Sequence, residues 1–293
     1  MNKLIIELKR PISEESLKIK LSKLSQRTTD DFDDNFILGN EIGNGTFAKV
    51  FIAKSKDGSG LYAAKVFDKN VNIGKFKKEI TMLKRAYHKH IIRFYDFYST
   101  DDNHIIITEL ATGGELFSRI VGSSLCERKT SIILYQLSSA VNYMHSLNLV
   151  HRDLKPENIL CVPNGEELIL KISDFGLATI MPKYLSTNSY CGTPEYAAPE
   201  LLCHKKYNYK VDCWSLGVIL YILLTSYVPY SFNGSINYLI LQIEAQNVEF
   251  GDFILSEESK DIVKCLLTKD INERYDTFQI LSHPFITNYS CLQ

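Results

Sequence analysis

His151-Arg152-Asp153-Leu154-Lys155-Pro156-Glu157-Asn158 places a carboxylate, a lysine and a carboxamide in one short polar loop, between an apolar helical pattern and an apolar strand pattern. Asp153 has the chemistry to accept or orient a hydroxyl proton. Asn158 offers a neutral oxygen, a ligand that a hard cation such as Mg2+ favours. Further along, Asp174-Phe175-Gly176 supplies an ionic oxygen suited to the same metal. Each piece alone is a weak signal, and their order along the chain is what carries information.

Working outward from the loop, Ile132, Ile133, Tyr135, Gln136, Leu137, Ala140, Val141 and Met144 follow helical spacing and predict a long core helix feeding it. Downstream, Ile159-Leu160-Cys161-Val162, the turn Pro163-Asn164-Gly165 and residues 168–172 predict a small hairpin that presents Asp174. Val211-Asp212-Cys213-Trp214-Ser215-Leu216-Gly217 begins a helix apolar nearly all round, hence central to its domain. Asp212 at its start reads as an N-cap. Two more helices are expected at residues 256–267 and 277–282, before His283-Pro284-Phe285.

From Phe36 the pattern is strand-like. Glu41-Ile42-Gly43-Asn44-Gly45-Thr46-Phe47-Ala48-Lys49-Val50 sets two glycines at a tight turn between strands, where backbone N–H groups can approach phosphate oxygens. A dinucleotide fingerprint is disfavoured, because that loop must open a helix, whereas the residues after Ala48 are β-prone. Asp57-Gly58-Ser59-Gly60 is a hairpin turn. Lys65 lies amid apolar residues in the next strand and Glu79 in an amphipathic segment over 76–87; taken alone, each reads as a solvent-facing charge. Strands at 92–99 and 104–109 follow, and beyond Ala111 the pattern turns helical.

With 293 residues and a net charge of −1, the chain has room for one large domain or two lobes and no basic excess that would suggest a nucleic-acid partner. The seven cysteines are odd in number and form no C-x-x-C pair, which fits reduced thiols in the cytoplasm or nucleus. The apolar core of the first seven residues is too short for a signal sequence. The longest apolar run, 214–224, is well short of a membrane span. The ending Ser290-Cys291-Leu292-Gln293 puts its cysteine one place too late for a prenylation box. Residues 1–35 are charged, with Leu17, Leu21 and Leu24 on one face of a short helical pattern, and read as an extension that is partly disordered, docking or regulatory.

Residues 36–287 resemble the eukaryotic protein kinases, with almost every landmark present in order. The resemblance implies a bilobal α+β fold: a small antiparallel sheet lobe with one helix (36–110), a larger mainly helical lobe (111–287) and a short tail (288–293). Lys155 and Cys191-Gly192-Thr193-Pro194-Glu195-Tyr196-Ala197-Ala198-Pro199-Glu200 are similar to the serine/threonine rather than the tyrosine class. The style is that of the calmodulin-dependent kinase group, with some likeness to checkpoint kinases. Ala48 at the third glycine position and Ile271, where a proline is common, are the departures.

By position, the resemblance implies ATP and Mg2+ as cofactors. Lys65 paired with Glu79 would hold the nucleotide phosphates, Asp153 would orient the substrate hydroxyl and Lys155 would steady the transferred group, with Asn158 and Asp174 as metal ligands. Ile42, Gly43, Asn44, Gly45, Val50, Ala63, Thr108 as gatekeeper, Glu109 and Ala111 would form the nucleotide site, with Glu115 beside it. Leu83, Phe94, His151 and Phe175 would form an apolar spine, Glu200 would pair with Arg274, and Asp212 would brace the catalytic-loop backbone. Glu115 and Glu157 match acidic positions that select a basic residue upstream of the target serine or threonine. Ser189, with Ser186 and Thr187 as alternates, aligns with an activating phosphosite facing Arg152, which implies an upstream kinase or trans-autophosphorylation. Protein substrates are the expected partners. The competing readings are a pseudokinase scaffold and a small-molecule phosphotransferase; the first requires loss of Lys65, Asp153 or Asp174, and the second is opposed by the intact Thr193 to Glu200 motif.

Overall fold

A computed structural model of the protein describes residues 32–45, 48–70, 72–120, 124–165, 167–181 and 191–290. The chain divides into two compact units. The first runs to Tyr87 and takes in Ile92–Ala111; the second comprises His88–Ile91 and the chain from Thr112 onward.

In the first unit, α1 (Phe32–Asn35) leads into β1 (Phe36–Asn44), β2 (Ala48–Ser55) and β3 (Leu61–Asp68); then come α2 (Ile73–Arg85), β4 (Phe94–Ser99) and β5 (Asn103–Glu109). The strands form an antiparallel sheet in the order β1-β2-β3-β5-β4. Alternation along β3 sorts its side chains onto two faces. Tyr62 and Ala64 join Phe32, Phe36, Tyr95, Tyr98 and Ile107 in one buried cluster. Phe67, on the other face, meets Phe76 of α2 edge-on at 5.5 Å. Phe32, ahead of the expected boundary at 36, is thus packed into this core. In α2, Phe76, Glu79, Ile80, Met82 and Leu83 make one buried stripe at helical spacing, and Asn72 caps its first turn through Gly74 N–H at 2.8 Å. Glu79 therefore belongs to the buried face despite its lysine neighbours.

The second unit holds α3 (Phe117–Ile120), α4 (Glu127–Ser146), β6 (Leu149–Val150), β7 (Ile159–Asn164), β8 (Glu167–Ile172) and β9 (Thr179–Ile180). These are followed by α5 (Pro199–Leu202), α6 (Val211–Thr225), α7 (Ile236–Ala245), α8 (Glu257–Leu266), α9 (Thr277–Leu281) and α10 (Pro284–Ser290). As expected, α6 is buried along nearly its whole length. Asp212 is not its N-cap: Lys210 holds that position, and the Asp212 carboxylate is turned to the loop before α6 in sequence. The β7–β8 hairpin turns at Gly165 in the left-handed region and carries the chain to Asp174. The last helix, α10, is anchored by its own Phe285 and Ile286, both buried. Among the described residues no helix is long and apolar enough to cross a membrane.

His90 ties residues 88–91 to this unit, with Nδ1 at 3.1 Å from the Leu170 carbonyl. Burial pushes its pKa down to about 4 from 6.5, against the Leu170 carbonyl, with His88, Lys89 and Lys171 adding to the fall. The unfolded chain takes up this proton near 6.5 and the folded chain only near 4, so stability is full above 6.5 and is lost as pH falls through that window. Denaturant midpoints measured between about pH 7 and about pH 4.5 should fall, and His90→Asn should flatten the slope. An unchanged slope in the variant would remove His90 from the account.

Candidate active site

In the first unit, β1 and β2 carry Ile42, half exposed, and Gly43 opposite Val50. Gly45 N–H donates to the Ala48 carbonyl at 2.9 Å and closes the turn below Asn44; Thr46 and Phe47 of the same loop lie outside the described residues. Val50 is the register partner of Lys65, and Ala63 that of Thr108. Lys65 Nζ donates to Glu79 Oε1 at 2.7 Å, the glutamate side chain 6% exposed and the lysine 25%. A carboxylate this buried is held by its partner. Glu109 uses its N–H on the Arg93 carbonyl and a carboxylate oxygen on Arg93 N–H, and its own carbonyl accepts from Thr108 Oγ1 at 3.4 Å. Leu83 and Phe94 are both buried here.

In the second unit, everything in the loop 151–158 hangs on Asp212. Its Oδ2 accepts from His151 N–H (3.0 Å) and His145 Nε2 (2.9 Å), and its Oδ1 from Arg152 N–H (2.9 Å). Full burial alone would raise the Asp212 pKa, but the hydrogen bond and charge of His145, with His151 and the Arg152 N–H, hold it below the ordinary carboxylate range. The brace fixes Arg152 at a positive φ of 69°. His151 Nδ1 lies 3.3 Å from Asp153 N–H and its Nε2 3.0 Å from the Ser173 carbonyl, and its ring packs edge-on to Phe175 at 5.1 Å.

Asp153 sits at the focus of this arrangement. Oδ1 accepts from Thr193 N–H (2.9 Å) and Thr193 Oγ1 (2.8 Å); Oδ2 accepts from Asn158 Nδ2 (3.2 Å) and lies 3.5 Å from Lys155 Nζ. Lys155 Nζ donates in turn to Thr193 Oγ1 at 2.8 Å. Thr193 was quoted in the sequence only as part of a class motif; the structure makes it the residue that joins the acid to the lysine. Gly192 before it has φ +103°, and a Cβ there would stand 2.6 Å from the Arg152 carbonyl, so the close approach demands glycine.

Arg152 donates to the Leu177 carbonyl from Nε and Nη2 and to the Tyr207 hydroxyl from Nη1 at 2.9 Å. Ser186, Thr187 and Ser189 lie outside the described residues. Glu157 Oε2 is buried without a hydrogen-bond partner among the described residues, and Glu115, exposed, bridges to Leu160 of β7. Burial, then the charges of Glu157 and Glu195, push the Tyr196 hydroxyl well above its usual range.

The oxygen donors suit a hard cation. Asn158 spends its NH2 on the Asp153 carbonyl (2.8 Å) and carboxylate, which leaves Oδ1 as its remaining group. Asp174, exposed and at φ 59°, follows Ser173, whose N–H and Oγ both donate to the Asn158 carbonyl (2.8 and 2.9 Å). Among the described residues no group of three or more His, Cys, Asp or Glu is placed to hold a metal. Mg2+ commonly takes only one or two protein carboxylates beside waters and phosphates, so the donor set fits it.

The description "Protein kinase domain" matches residues 36–286. The chain is 40% identical over 263 residues to calcium/calmodulin-dependent protein kinase type 1 of Macrobrachium nipponense, covering 87% of this chain and 76% of the relative. It is 38% identical over 255 residues to myosin light chain kinase A of Dictyostelium discoideum, covering 84% of this chain and 86% of the relative. It is 37% identical over 276 residues to calcium/calmodulin-dependent protein kinase type 1B of Rattus norvegicus, covering 92% and 80%. None of these three is a checkpoint kinase. With the five-stranded sheet, its helix and the helical second unit, these likenesses place the chain in the protein kinase family, as a serine/threonine protein kinase similar to the calcium/calmodulin-dependent kinases.

Proposed function

We propose that this kinase transfers the γ-phosphoryl group of ATP to serine or threonine in proteins carrying a basic residue upstream of the target. The observation that carries the reading is the Asp153 carboxylate, positioned by Thr193 and Asn158 with Lys155 at 3.5 Å. Asp153 orients the incoming hydroxyl and takes up its proton; Lys155 offsets charge on the phosphoryl oxygens as they transfer. Lys65, steadied by Glu79, binds the non-transferred phosphates, and the N–H groups of Gly43, Asn44 and Gly45 approach the same chain of oxygens. Ile42, Val50, Ala63 and Thr108 line the base, whose edge pairs with the Glu109 carbonyl and the Ala111 N–H. Asn158 Oδ1 and Asp174 would hold Mg2+, which when bound would neutralise phosphate charge. The pseudokinase scaffold is less well supported: Lys65, Asp153 and Asp174 are all present and the Lys65–Glu79 pair is made.

For substrate choice the supporting feature is the half-buried carboxylate of Glu157, with the exposed Glu115 as a second acid to meet a substrate guanidinium. Ser189 is the proposed activating phosphosite, reached by an upstream kinase or in trans; its phosphate would take Arg152 from the Leu177 carbonyl and the Tyr207 hydroxyl. The six described cysteines are all free, in keeping with a reducing cytoplasmic or nuclear setting.

The test uses protein stripped of phosphate, labelled ATP, Mg2+ and two serine peptides, with and without an upstream arginine. Glu157→Gln should raise KM for the arginine peptide by about ten- to a hundredfold, the worth of a charge-assisted hydrogen bond, with no comparable change on the arginine-free peptide. Equal loss on both peptides would assign Glu157 to loop structure instead. Label on the protein itself, mapping to Ser189, would support activation in trans.

A further inference from the structure

On the reading that Asn158 and Asp174 are the metal ligands, we propose that Ser173 is a positioning residue for that pair. Its hydroxyl clamps the segment that bears Asp174 to the loop that bears Asn158, and so sets how tightly the two together take a divalent cation.

The β7–β8 ladder ends at Ile172 opposite Ile159, so Ser173 and Asp174 lie just beyond it. Asp174 takes a φ of 59°, in the left-handed region that residues other than glycine keep only where their surroundings hold them. The holding contacts converge on Ser173. Its N–H and its Oγ both donate to the Asn158 carbonyl, at 2.8 and 2.9 Å, and its own carbonyl lies 3.0 Å from His151 Nε2. The two donors use both lone pairs of one carbonyl oxygen. Asn158 is fixed in turn: it is 8% exposed, gives its N–H to the Lys155 carbonyl at 3.0 Å and gives its NH2 to Asp153. Any residue except proline at position 173 keeps the backbone bond, but the second bond needs a hydroxyl. Ser173 thereby turns a single attachment, about which the chain can pivot, into a two-point attachment next to a strained aspartate. Loss of one such bond shifts a conformational balance by about three- to tenfold. A cation that needs Asp174 in place binds more weakly in proportion to the competent fraction.

Mn2+ is the probe, read by the electron paramagnetic resonance of the free ion. It is titrated into full-length protein with ADP held below the protein concentration, so that no phosphoryl group is transferred and little nucleotide is free. Ser173→Ala should raise the Mn2+ Kd by about three- to tenfold, and Ser173→Thr, which keeps the hydroxyl, should restore it. ADP binding measured with metal chelated should be alike in all three proteins, and thermal midpoints give the folding check. The proposal is overturned if folded Ser173→Ala binds Mn2+ as wild type does, or if folded Ser173→Thr is as weak as Ser173→Ala. It is also overturned if metal-free ADP binding falls in step with that of Mn2+, because the hydroxyl would then serve the fold of the loop at large. Wild-type protein that takes up no Mn2+ with ADP would overturn the metal assignment itself, and this role of Ser173 with it.

Discussion

Asp153→Asn is expected to lower peptide phosphorylation by about a hundred- to ten-thousandfold, the usual worth of a positioned proton acceptor. The size of the loss follows from what the amide cannot do. Its oxygen can still accept from Thr193 N–H and Oγ1, so the loop keeps its shape. Its NH2 then faces Asn158 Nδ2 and Lys155 Nζ, donors where the carboxylate had offered an acceptor, at a cost of about 1 kcal/mol in stability. The hydroxyl loses the one base at hand and the lysine loses its counter-charge. Initial rates with the phosphate-stripped protein should show the fall in kcat, with KM for ATP little moved because Lys65 and Glu79 are untouched. A loss under tenfold would move the proton-accepting role elsewhere and weaken the assignment built on this loop.

How far the sequence reached follows the distance over which each contact acts. Period-two alternation in β3 and helical spacing in α2 are local, and they suffice to find the sheet and to reveal Glu79 as buried once Phe76, Ile80 and Leu83 define the stripe. The carboxylate, lysine and carboxamide of 151–158 are likewise neighbours in the chain. The contacts that give them direction are not: Thr193 reaches Asp153 across forty residues and Asp212 reaches His151 across sixty-one. No local pattern separates such an aspartate from an ordinary helix cap, and only the family resemblance supplied the bracing role. His145 had no signal at all, since a histidine ending a long helix looks like a favourable charge near a helix C-terminus. The residues after Pro284 are poor helix formers, and α10 exists because Phe285 and Ile286 find a core to enter.

Arg274→Met is expected to destabilise the second unit by about 3–5 kcal/mol, the usual cost of stranding one partner of a buried ion pair. Arg274 is wholly buried and grips Glu200, 8% exposed, through Nη1–Oε1 at 2.6 Å and Nη2–Oε2 at 2.9 Å. It also donates to the carbonyls of Thr268 (2.9 Å), Lys210 (3.3 Å) and Lys269 (3.4 Å), and its guanidinium lies 5.0 Å from the Trp214 ring centre. At a few degrees per kcal/mol the thermal midpoint should drop by about 10 °C. Because Glu200 opens α5, seven residues after Thr193, the loss should also loosen the segment that holds Asp153 and appear as reduced kcat below the melting range. Arg274→Met combined with Glu200→Leu separates the causes. If the stranded carboxylate dominates, the double variant recovers most of the lost stability, since an apolar pair of similar volume avoids the desolvation penalty altogether. If the double variant melts with the single one, the stabilisation lies in the three carbonyl contacts and the stacking on Trp214, and the salt bridge serves chiefly to set where the chain after Thr193 enters the core.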